Sequence, residues 1–202
     1  MVERSNVLTR RRSPLSRLTD EILAGSGNGA SLREIPFLAQ IGLRAQPGSA
    51  SASALESMLG GALPSGVGKV AQVRDSRSVL WLGPDDFLVI ARDEADGGPD
   101  PTAFTEELAQ ALGDLPGQVV DLSANRTTLE LSGPNAQDVL DKSCRMDLDL
   151  VAFPAGTAVN TLIESVGIIL WRVEENTWRV MPRSSFSTHV ARWLLDGMRE
   201  YI

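Results

Sequence analysis

Alternating apolar and polar residues followed by helical spacing organise the chain, most clearly over residues 127–143. Thr128 to Leu131 alternate like a strand with one buried face, and Ser132 to Pro134 then form a tight turn. Helical spacing follows directly, with one apolar face formed by Ala136, Val139 and Leu140. The pattern predicts a strand, a turn and a helix, with Pro134 at the first helical position and Ser132 or Gly133 as the cap.

The same periodicities predict the other secondary-structure elements. Strands are predicted at residues 37–43, 70–73, 79–82, 87–90, 118–122, 159–163, 166–173 and 178–181. Helices are predicted at residues 51–59, around 104–112 and at 185–200. Because these helices interrupt short strands that stay paired in local hairpins, we expect an α+β fold with mixed, mainly antiparallel sheets.

The second half of the chain repeats the order of elements in the first half. Leu80-Trp81 matches Leu170-Trp171 at a shift of 90 residues. At a shift of 91, the matching residues are Phe87, Val89 and Arg92 against Trp178, Val180 and Arg183. The following helices share one apolar spacing, at Phe104, Leu108, Ala111 and Leu112 against Phe186, Val190, Trp193 and Leu194. We therefore expect two interleaved, ferredoxin-like β-α-β-β-α units that arose by duplication.

The glycine-rich stretch from Gly25 to Gly29 predicts a boundary, because it offers almost no side chains that can pack. We expect residues 1–31 to be a flexible basic arm and Gly-rich linker. Residues 32–202 are expected to form a compact duplicated α+β domain, with halves of about 32–123 and 124–202. Removal of residues 1–17 is accordingly expected to leave the body folded.

The arm is rich in arginine, with Arg4, Arg10, Arg11, Arg12 and Arg17. It is either a solvated tail or a segment that becomes ordered on an acidic partner surface.

Composition and charge exclude several classes of function. The chain has 202 residues, 43% of them hydrophobic, and a formal net charge of −7, which disfavours general binding to nucleic acids and anionic membranes. No apolar run reaches the ~18 residues that a membrane-spanning helix needs. The single cysteine, Cys144, excludes an intrachain disulfide and fits a reducing compartment. We expect a cytoplasmic protein that binds neither nucleic acid nor membrane.

A hydrolase site is only nominally available. Ser123, Asp121 and His189 could compose a triad, but Ser123 lacks the G-x-S-x-G turn that exposes such a nucleophile. His189 lies at the border of the apolar face of the last predicted helix, and one histidine does not make a His-based metal site. A partly buried structural role for His189 is favoured.

Two other groups of residues are interpreted as structural. Asp85 and Asp86 share a predicted hairpin turn, where adjacent acids are usually solvated. Cys144 lies next to Arg145, but no catalytic partner is evident, which favours a small, semi-buried thiol. The sequence therefore predicts no catalytic, cofactor-binding or metal-binding residue.

Asp121, Asn125 and Arg126 lie between the end of one predicted strand and the start of the next. Asp and Asn side chains in such positions often bond to nearby backbone groups, so the favoured role is to fix the crossing between the two halves. The alternative is that these residues face a partner or ligand at that junction.

Two locations are open for three of the tryptophans, the core or a partner interface: Trp171, Trp178 and Trp193. Aromatic residues on amphipathic elements usually lie in the core, whereas partner surfaces also favour tryptophan.

Two motifs add a resemblance to a known family. Residues 121–134 read D-x-S-x-N-R-x-x-L-E-L-S-G-P, and residues 80–88 read L-W-L-G-P-D-D-F-L. Shorter stretches at residues 13–15, 153–156, 169–172 and 183–195 are also similar. In combination, the chain beyond about Arg12 resembles the gamma-subunit family of heterotetrameric sarcosine oxidases. The resemblance implies a fold similar to the folate-binding aminomethyltransferase domain.

The resemblance also implies a role in a four-subunit enzyme. Members of this family assemble with alpha, beta and delta subunits, and the main partner expected is alpha. The assembly oxidatively demethylates sarcosine to glycine, forms hydrogen peroxide and passes the one-carbon unit to tetrahydrofolate. FAD, FMN, NAD and tetrahydrofolate are expected on partner subunits and zinc on the delta subunit, with none on this chain.

One family motif is missing. True aminomethyltransferases contain R-x-G-Y-T-G-E-x-G-F with a glutamate that contacts folate, and Val159 to Val173 contains no such segment. We therefore expect a non-catalytic subunit that supports assembly. One alternative is an equivalent subunit of another complex that demethylates N-methyl amino acids, such as N-methylglutamate dehydrogenase. The other is a free-standing folate-dependent one-carbon enzyme, which the short chain and the missing segment disfavour.

Overall fold

Strands from both halves of the chain form two five-stranded sheets in the computed structural model, which describes residues 8–202. The strands are β1 (Ser31–Ile35), β2 (Ala39–Arg44), β3 (Val70–Val73), β4 (Arg77–Gly83), β5 (Asp86–Ala91), β6 (Gln118–Asp121), β7 (Thr128–Ser132), β8 (Thr157–Ile163), β9 (Val166–Glu174) and β10 (Thr177–Pro182). Sheet I has the order β3-β4-β5-β2-β6, and sheet II has the order β1-β7-β10-β9-β8. Every pair of neighbouring strands in the described part of the chain is antiparallel. The predicted α+β fold class is confirmed.

Helices cover the outer face of each sheet. They are α1 (Thr19–Ala24), α2 (Ala50–Leu59), α3 (Pro101–Leu112), α4 (Ala136–Asp141) and α5 (Ser187–Met198). Apolar residues of α2 and α3 pack on sheet I, and those of α1, α4 and α5 pack on sheet II. Within residues 8–202, none of these helices has the length and apolar character needed to cross a bilayer.

The two sheets match strand for strand, and the N-terminal strand completes the second of them. In sheet I, β6 lies beside β2, and in sheet II the equivalent place beside β7 is filled by β1. The units are therefore interleaved, as predicted, because the first strand of the chain belongs to the sheet of its second half. Neither β1 nor α1 was among the predicted elements.

Central strands are buried on both faces because the two sheets also pack against each other. Phe87 and Val89 of β5 face α2 and α3, whereas Leu88 and Ile90 lie in the core between the sheets. The inner core also contains Trp171 at 4% exposure. Stacked sheets of this kind produce apolar runs in place of strict alternation.

The internal repeat runs at a shift of 91 residues through both strands of each hairpin. Val79 pairs with Val89 and Leu170 pairs with Val180, so Val79 is the equivalent of Leu170. The predicted match of Leu80 with Leu170 is wrong, since Leu80 lies between the sheets and Leu170 faces the helices. A shift of one residue exchanges the two faces of a strand, which is why the two alignments cannot both hold.

The predicted apolar face of α5 is partly wrong. Val190 and Leu194 are buried, but Phe186 and Trp193 are 48% and 40% exposed. Met198 was also predicted on this face and is buried, and the buried stripe is completed by Ala191 and Leu195. Of the three tryptophans, Trp171 and Trp178 lie in the core, and Trp193 lies at the surface.

Residues that precede β1 pack against sheet II. Leu15, Leu18 and Ile22 are at most 6% exposed and belong to the core under the helices. A Cβ at Gly29 would collide with the carbonyl oxygen of Tyr201, so the glycine turn lies against the C-terminus. The division into an arm of residues 1–31 and a domain of residues 32–202 stays a prediction, but the packed core extends to the N-terminal side of Leu32. Arg4 lies outside the described residues.

The turn after β7 uses its backbone groups in tertiary contacts. The amide of Gly133 donates to the carbonyl of Asn176 (3.0 Å), and the amide of Asn135 donates to the carbonyl of Gly29 (2.9 Å). The helix α4 begins at Ala136 without a side-chain cap. The prediction that Pro134 is the first helical residue, capped by Ser132 or Gly133, is therefore wrong by two residues.

We expect Gly133→Val to lower the free energy of unfolding by about 1–3 kcal/mol, because Gly133 has a φ of +119° that β-branched residues avoid. A Cβ there would also lie 2.6 Å from the carbonyl oxygen of Gly29, which is backbone and cannot rotate away. Urea unfolding measures the loss. The matched control is Gly167→Val in β9, where a Cβ meets no atom within 4 Å. Equal stabilities of the two variants would show that Gly133 does not need a conformation that β-branched residues avoid.

Candidate functional site at the junction of the two sheets

The connection from sheet I to sheet II is fixed by local hydrogen bonds. The carboxylate of Asp121 accepts a bond from the amide of Ser123 (2.9 Å). The amide of Asn125 donates to the carbonyl of Leu122 (2.8 Å). Asp121 thus has the predicted role of fixing the crossing between the two halves.

Residues of β2 and of the turn that follows β10 hold this connection in place. The backbone amide of Gln40 donates to the hydroxyl of Ser123 (3.1 Å), and its buried side chain donates to the carbonyl of Arg126 (3.0 Å). From the other side, the amide of Ser184 donates to the carbonyl of Asn125 (2.9 Å). These hydrogen bonds therefore fix the backbone of the connection in one conformation.

The side chain of Arg126 projects from this path into a half-buried position. Its Nη1 donates to the carbonyl of Met181 (3.1 Å). Burial lowers the pKa of Arg126 from its ordinary value, and the positive charge of Arg183 lowers it further. Among the described residues, no ion pair involves Arg126 or Arg183. Arg126 is therefore a cation in an unfavourable environment.

A pocket of about 330 Å³ opens beside Arg126. Arg11 and Arg12 line it from the N-terminal segment, and Pro14, Phe37 and Pro101 form its apolar walls. We call this set, together with the neighbouring Arg183, the junction pocket. Its polar lining consists of three arginines and three hydroxyl residues, which are all able to donate to an anion.

The N-terminal segment is held at the pocket by Arg11. Its guanidinium donates to both carboxylate oxygens of Asp93 at 2.9 Å, and Asp93 is 8% exposed. The same guanidinium lies 4.3 Å from the ring centroid of Phe37, in a cation–π contact. Phe37 has a φ of +58°, a strained value for a bulky residue. Arg11 is thus held against the pocket wall by Asp93 and Phe37.

Comparison with known proteins decides the family. The sequence model of the sarcosine oxidase gamma subunit family matches residues 42–200. Gamma subunits of sarcosine oxidase from Arthrobacter sp and Corynebacterium sp. (strain P-1) are 48% and 47% identical to this chain over 192 residues, covering 95% of it and 91% of each relative. The chain belongs to the sarcosine oxidase gamma subunit family.

Solved structures agree with this membership. A chain of the heterotetrameric sarcosine oxidase from Corynebacterium sp. U-96, in complex with pyrrole 2-carboxylate, matches with a TM-score of 0.86 and 43% identity over 95% of this chain and 96% of that one. The glycine cleavage system aminomethyltransferase T from Bartonella henselae matches with a TM-score of 0.65 at 19% identity, over 90% of this chain and 49% of that one. The second match shows the fold alone, and it agrees with the fold that the resemblance implies.

In this gamma-subunit family member, the nominal triad is not assembled. The hydroxyl of Ser123 accepts a bond from Gln40, and the carboxylate of Asp121 is bound to the amide of Ser123. His189 is exposed on α5, with its ring centroid 6.0 Å from that of Trp193. Within residues 8–202, no hydrogen bond joins His189 to either residue. The prediction that His189 is partly buried is wrong, because α5 turns this side of its surface to solvent.

The acidic hairpin residues are surface groups. Asp85 and Asp86 lie 3.7 and 3.6 Å from the guanidinium of Arg44, and all three side chains are substantially exposed. In the described part of the chain, no three His, Cys, Asp or Glu residues are grouped so that they could hold a metal ion.

Cys144 is a buried thiol at 4% exposure, and its pKa is raised because burial disfavours the thiolate. We expect an aromatic disulfide reagent to react with the folded chain on the order of 100-fold more slowly than with the urea-unfolded chain, which corresponds to an opening free energy of about 3 kcal/mol. Absorbance at pH 8 follows the reaction. Comparable rates in both states would show that the thiol is accessible.

Sequence reasoning found part of the junction pocket and missed the rest. Asp121, Asn125 and Arg126 were singled out as a junction, whereas Arg12 and Arg183 were not linked to it. Arg183 was noted as the repeat partner of Arg92 and as the start of a family-like stretch. The arginines at Arg126 and Arg183, next to predicted strands, were the available signal, but sequence does not show which strand ends meet.

Proposed function

We propose that this chain is the gamma subunit of a heterotetrameric sarcosine oxidase. The complex demethylates sarcosine oxidatively to glycine in the cytoplasm, forms hydrogen peroxide and transfers the one-carbon unit to tetrahydrofolate. The observation that carries the proposal is the match to a chain of the Corynebacterium sp. U-96 enzyme over almost the full length of both chains.

Within the complex, the chain supports assembly and carries no active site. The nominal triad is not connected in the described residues, and the folate-contacting motif of true aminomethyltransferases is absent from the sequence. FAD, FMN, NAD and tetrahydrofolate are then held by partner subunits, and zinc by the delta subunit. The main contact is with the alpha subunit.

Co-expression with the alpha, beta and delta subunits tests the proposal. A tag on alpha should retain this chain in a 1:1:1:1 complex that oxidises sarcosine with formation of hydrogen peroxide. If the tagged complex forms without this chain, the proposed membership is wrong. If the chain is retained but another N-methyl amino acid is oxidised far faster than sarcosine, the chain serves an equivalent demethylating complex.

The isolated chain provides a second test. It should be colourless, it should not oxidise sarcosine, and calorimetry should detect no stoichiometric binding of tetrahydrofolate at micromolar concentration. Stoichiometric flavin, or micromolar folate binding, would favour the free-standing one-carbon enzyme.

A further inference from the structure

The junction pocket gathers positive charge that the chain does not neutralise. Arg12 and Arg126 line it from the N-terminal segment and the inter-sheet connection, and Arg183, after β10, is the antiparallel bridge partner of Arg126. No ion pair involves any of the three within residues 8–202. This concentration stands out in a chain whose net charge is −7.

Acidic side chains near the junction pocket are already in use. Asp93 binds Arg11 through both carboxylate oxygens. Asp121 binds the amide of Ser123. Glu34 accepts the hydroxyl of Thr127, one of the residues that line the pocket. The guanidinium groups of Arg12, Arg126 and Arg183 therefore have no acidic partner among these side chains, and an acid from outside these contacts could pair with them.

This arrangement destabilises the positive charge of Arg126. A half-buried cation beside a second cation loses hydration and is repelled, and burial and Arg183 together lower its pKa. A carboxylate placed between Arg126 and Arg183 would remove the repulsion and form charge-assisted hydrogen bonds.

The shape of the junction pocket suits an acidic side chain on a protein surface. Its volume of about 330 Å³ lies at the lower limit of small-molecule sites, which begin at about 300 Å³. The apolar walls formed by Pro14, Phe37 and Pro101 match the aliphatic stem of a glutamate. Arg12 and Arg183 are exposed, so a segment that runs over the surface can reach them.

We propose that the junction pocket binds an acidic segment of a partner subunit, with one carboxylate held by Arg126 and Arg183 and a flanking acid held by Arg12. The proposal rests on the proposed membership of a complex, and it identifies the surface and the chemistry of that contact. Rim charges of this kind increase the rate of association and make the contact sensitive to salt.

Neutralisation of the exposed arginines tests the proposal. The double variant Arg12→Gln/Arg183→Gln is co-expressed with tagged alpha, beta and delta subunits, and its retention is measured over a series of salt washes. We expect binding weaker by on the order of 10–100-fold, seen as dissociation at lower salt than for the unmodified chain. The single variant Arg183→Lys keeps the positive charge, so it should be retained almost as well as the unmodified chain.

Arg199→Gln is the control for a single substitution, such as Arg12→Gln, and removes one positive charge from an exposed pair with Asp196 outside the junction pocket. It should be retained like the unmodified chain. Melting temperatures of the isolated chains show whether a variant still folds. If Arg183→Gln unfolds the chain, retention of the single variant Arg12→Gln tests the proposal instead.

Each outcome has a separate meaning. Loss of the unmodified chain from the complex overturns the proposed function and this inference with it. Equal retention of the double variant, the control and the unmodified chain overturns the inference alone. Equal retention combined with arginine-dependent stabilisation of the isolated chain by glutarate or phosphate also overturns it, since the pocket would then be a site for a small anion.

Discussion

Arg172→Leu is expected to lower the free energy of unfolding by about 3–5 kcal/mol, because several buried carbonyl groups would lose their donor at once. Arg172 is 2% exposed. Its Nη1 donates to the carbonyls of Leu148 (3.0 Å) and Phe153 (2.9 Å). Leucine fills part of the same volume but offers no donor, so these acceptors would remain buried and unpaired.

The same guanidinium ties the β9–β10 hairpin to the core. Its Nε and Nη2 donate to the carbonyl of Glu175 at 3.0 and 2.7 Å, and its carbon lies 4.5 Å from the ring centroid of Trp178. Burial lowers the pKa of Arg172, and no ion pair of the described residues involves it. Carbonyl oxygens therefore hold this charge through direct hydrogen bonds, and the carboxylates of Glu175 and Asp149 favour it from a greater distance.

Urea unfolding of three variants measures the effect. Arg172→Lys keeps the charge but lacks the planar fork that reaches several acceptors, so it should recover only part of the loss. Arg145→Leu is the matched control, because Arg145 is exposed in the same region and should change stability by less than about 0.5 kcal/mol. A loss below about 1 kcal/mol for Arg172→Leu would show that these carbonyls find other donors.

A chain that begins at Leu32 is expected to lose cooperative folding. It would lack Leu15, Leu18 and Ile22, whose burial contributes roughly 1.5–3 kcal/mol each. The total is comparable with the whole stability of a typical domain, about 5–15 kcal/mol. Removal of residues 1–17 takes Leu15 with it, so the structure leads us to expect destabilisation where the sequence predicted a folded body.

Substitutions at two neighbouring residues of α1 show how much stability is lost through core packing alone, because they leave the chain length unchanged. Ile22 is 6% exposed and Leu23 is 74% exposed. We expect Ile22→Ala to cost about 2–4 kcal/mol and Leu23→Ala less than about 0.5 kcal/mol. Thermal and urea unfolding measure both, and a full two-state transition in the chain that begins at Leu32 would show that sheet II folds without this segment.

Local periodicity determined much of the secondary structure. The predicted strand at 70–73 agrees with β3 residue for residue, and the hairpin of β4 and β5 was placed correctly around its turn. Alternation within a strand and spacing within a helix depend only on nearby residues, so they can be recognised in one sequence. Resemblance of the two long motifs to a known family added the fold and the family.

Sequence pattern failed where burial depends on distant elements. The alternation in Ser31–Ile35 is short, and β1 exists because β7 of the second half pairs with it. On α5, helical spacing identified an amphipathic element, but the neighbours of the helix decided that Val190 is buried and that Trp193 is exposed. The register of the internal repeat was likewise decided by strand pairing.

The junction pocket shows the same limit in the candidate site. Sequence alone determined that Asp121, Asn125 and Arg126 lie at a crossing, because Asp121 is at the end of one strand and the other two precede the next. Only the tertiary structure decided that Arg12 lines the same pocket, that Arg183 pairs with Arg126, and that Arg11 binds Asp93, 82 residues away along the chain. Contacts over such separations depend on how the two sheets pack, and no local periodicity records that packing.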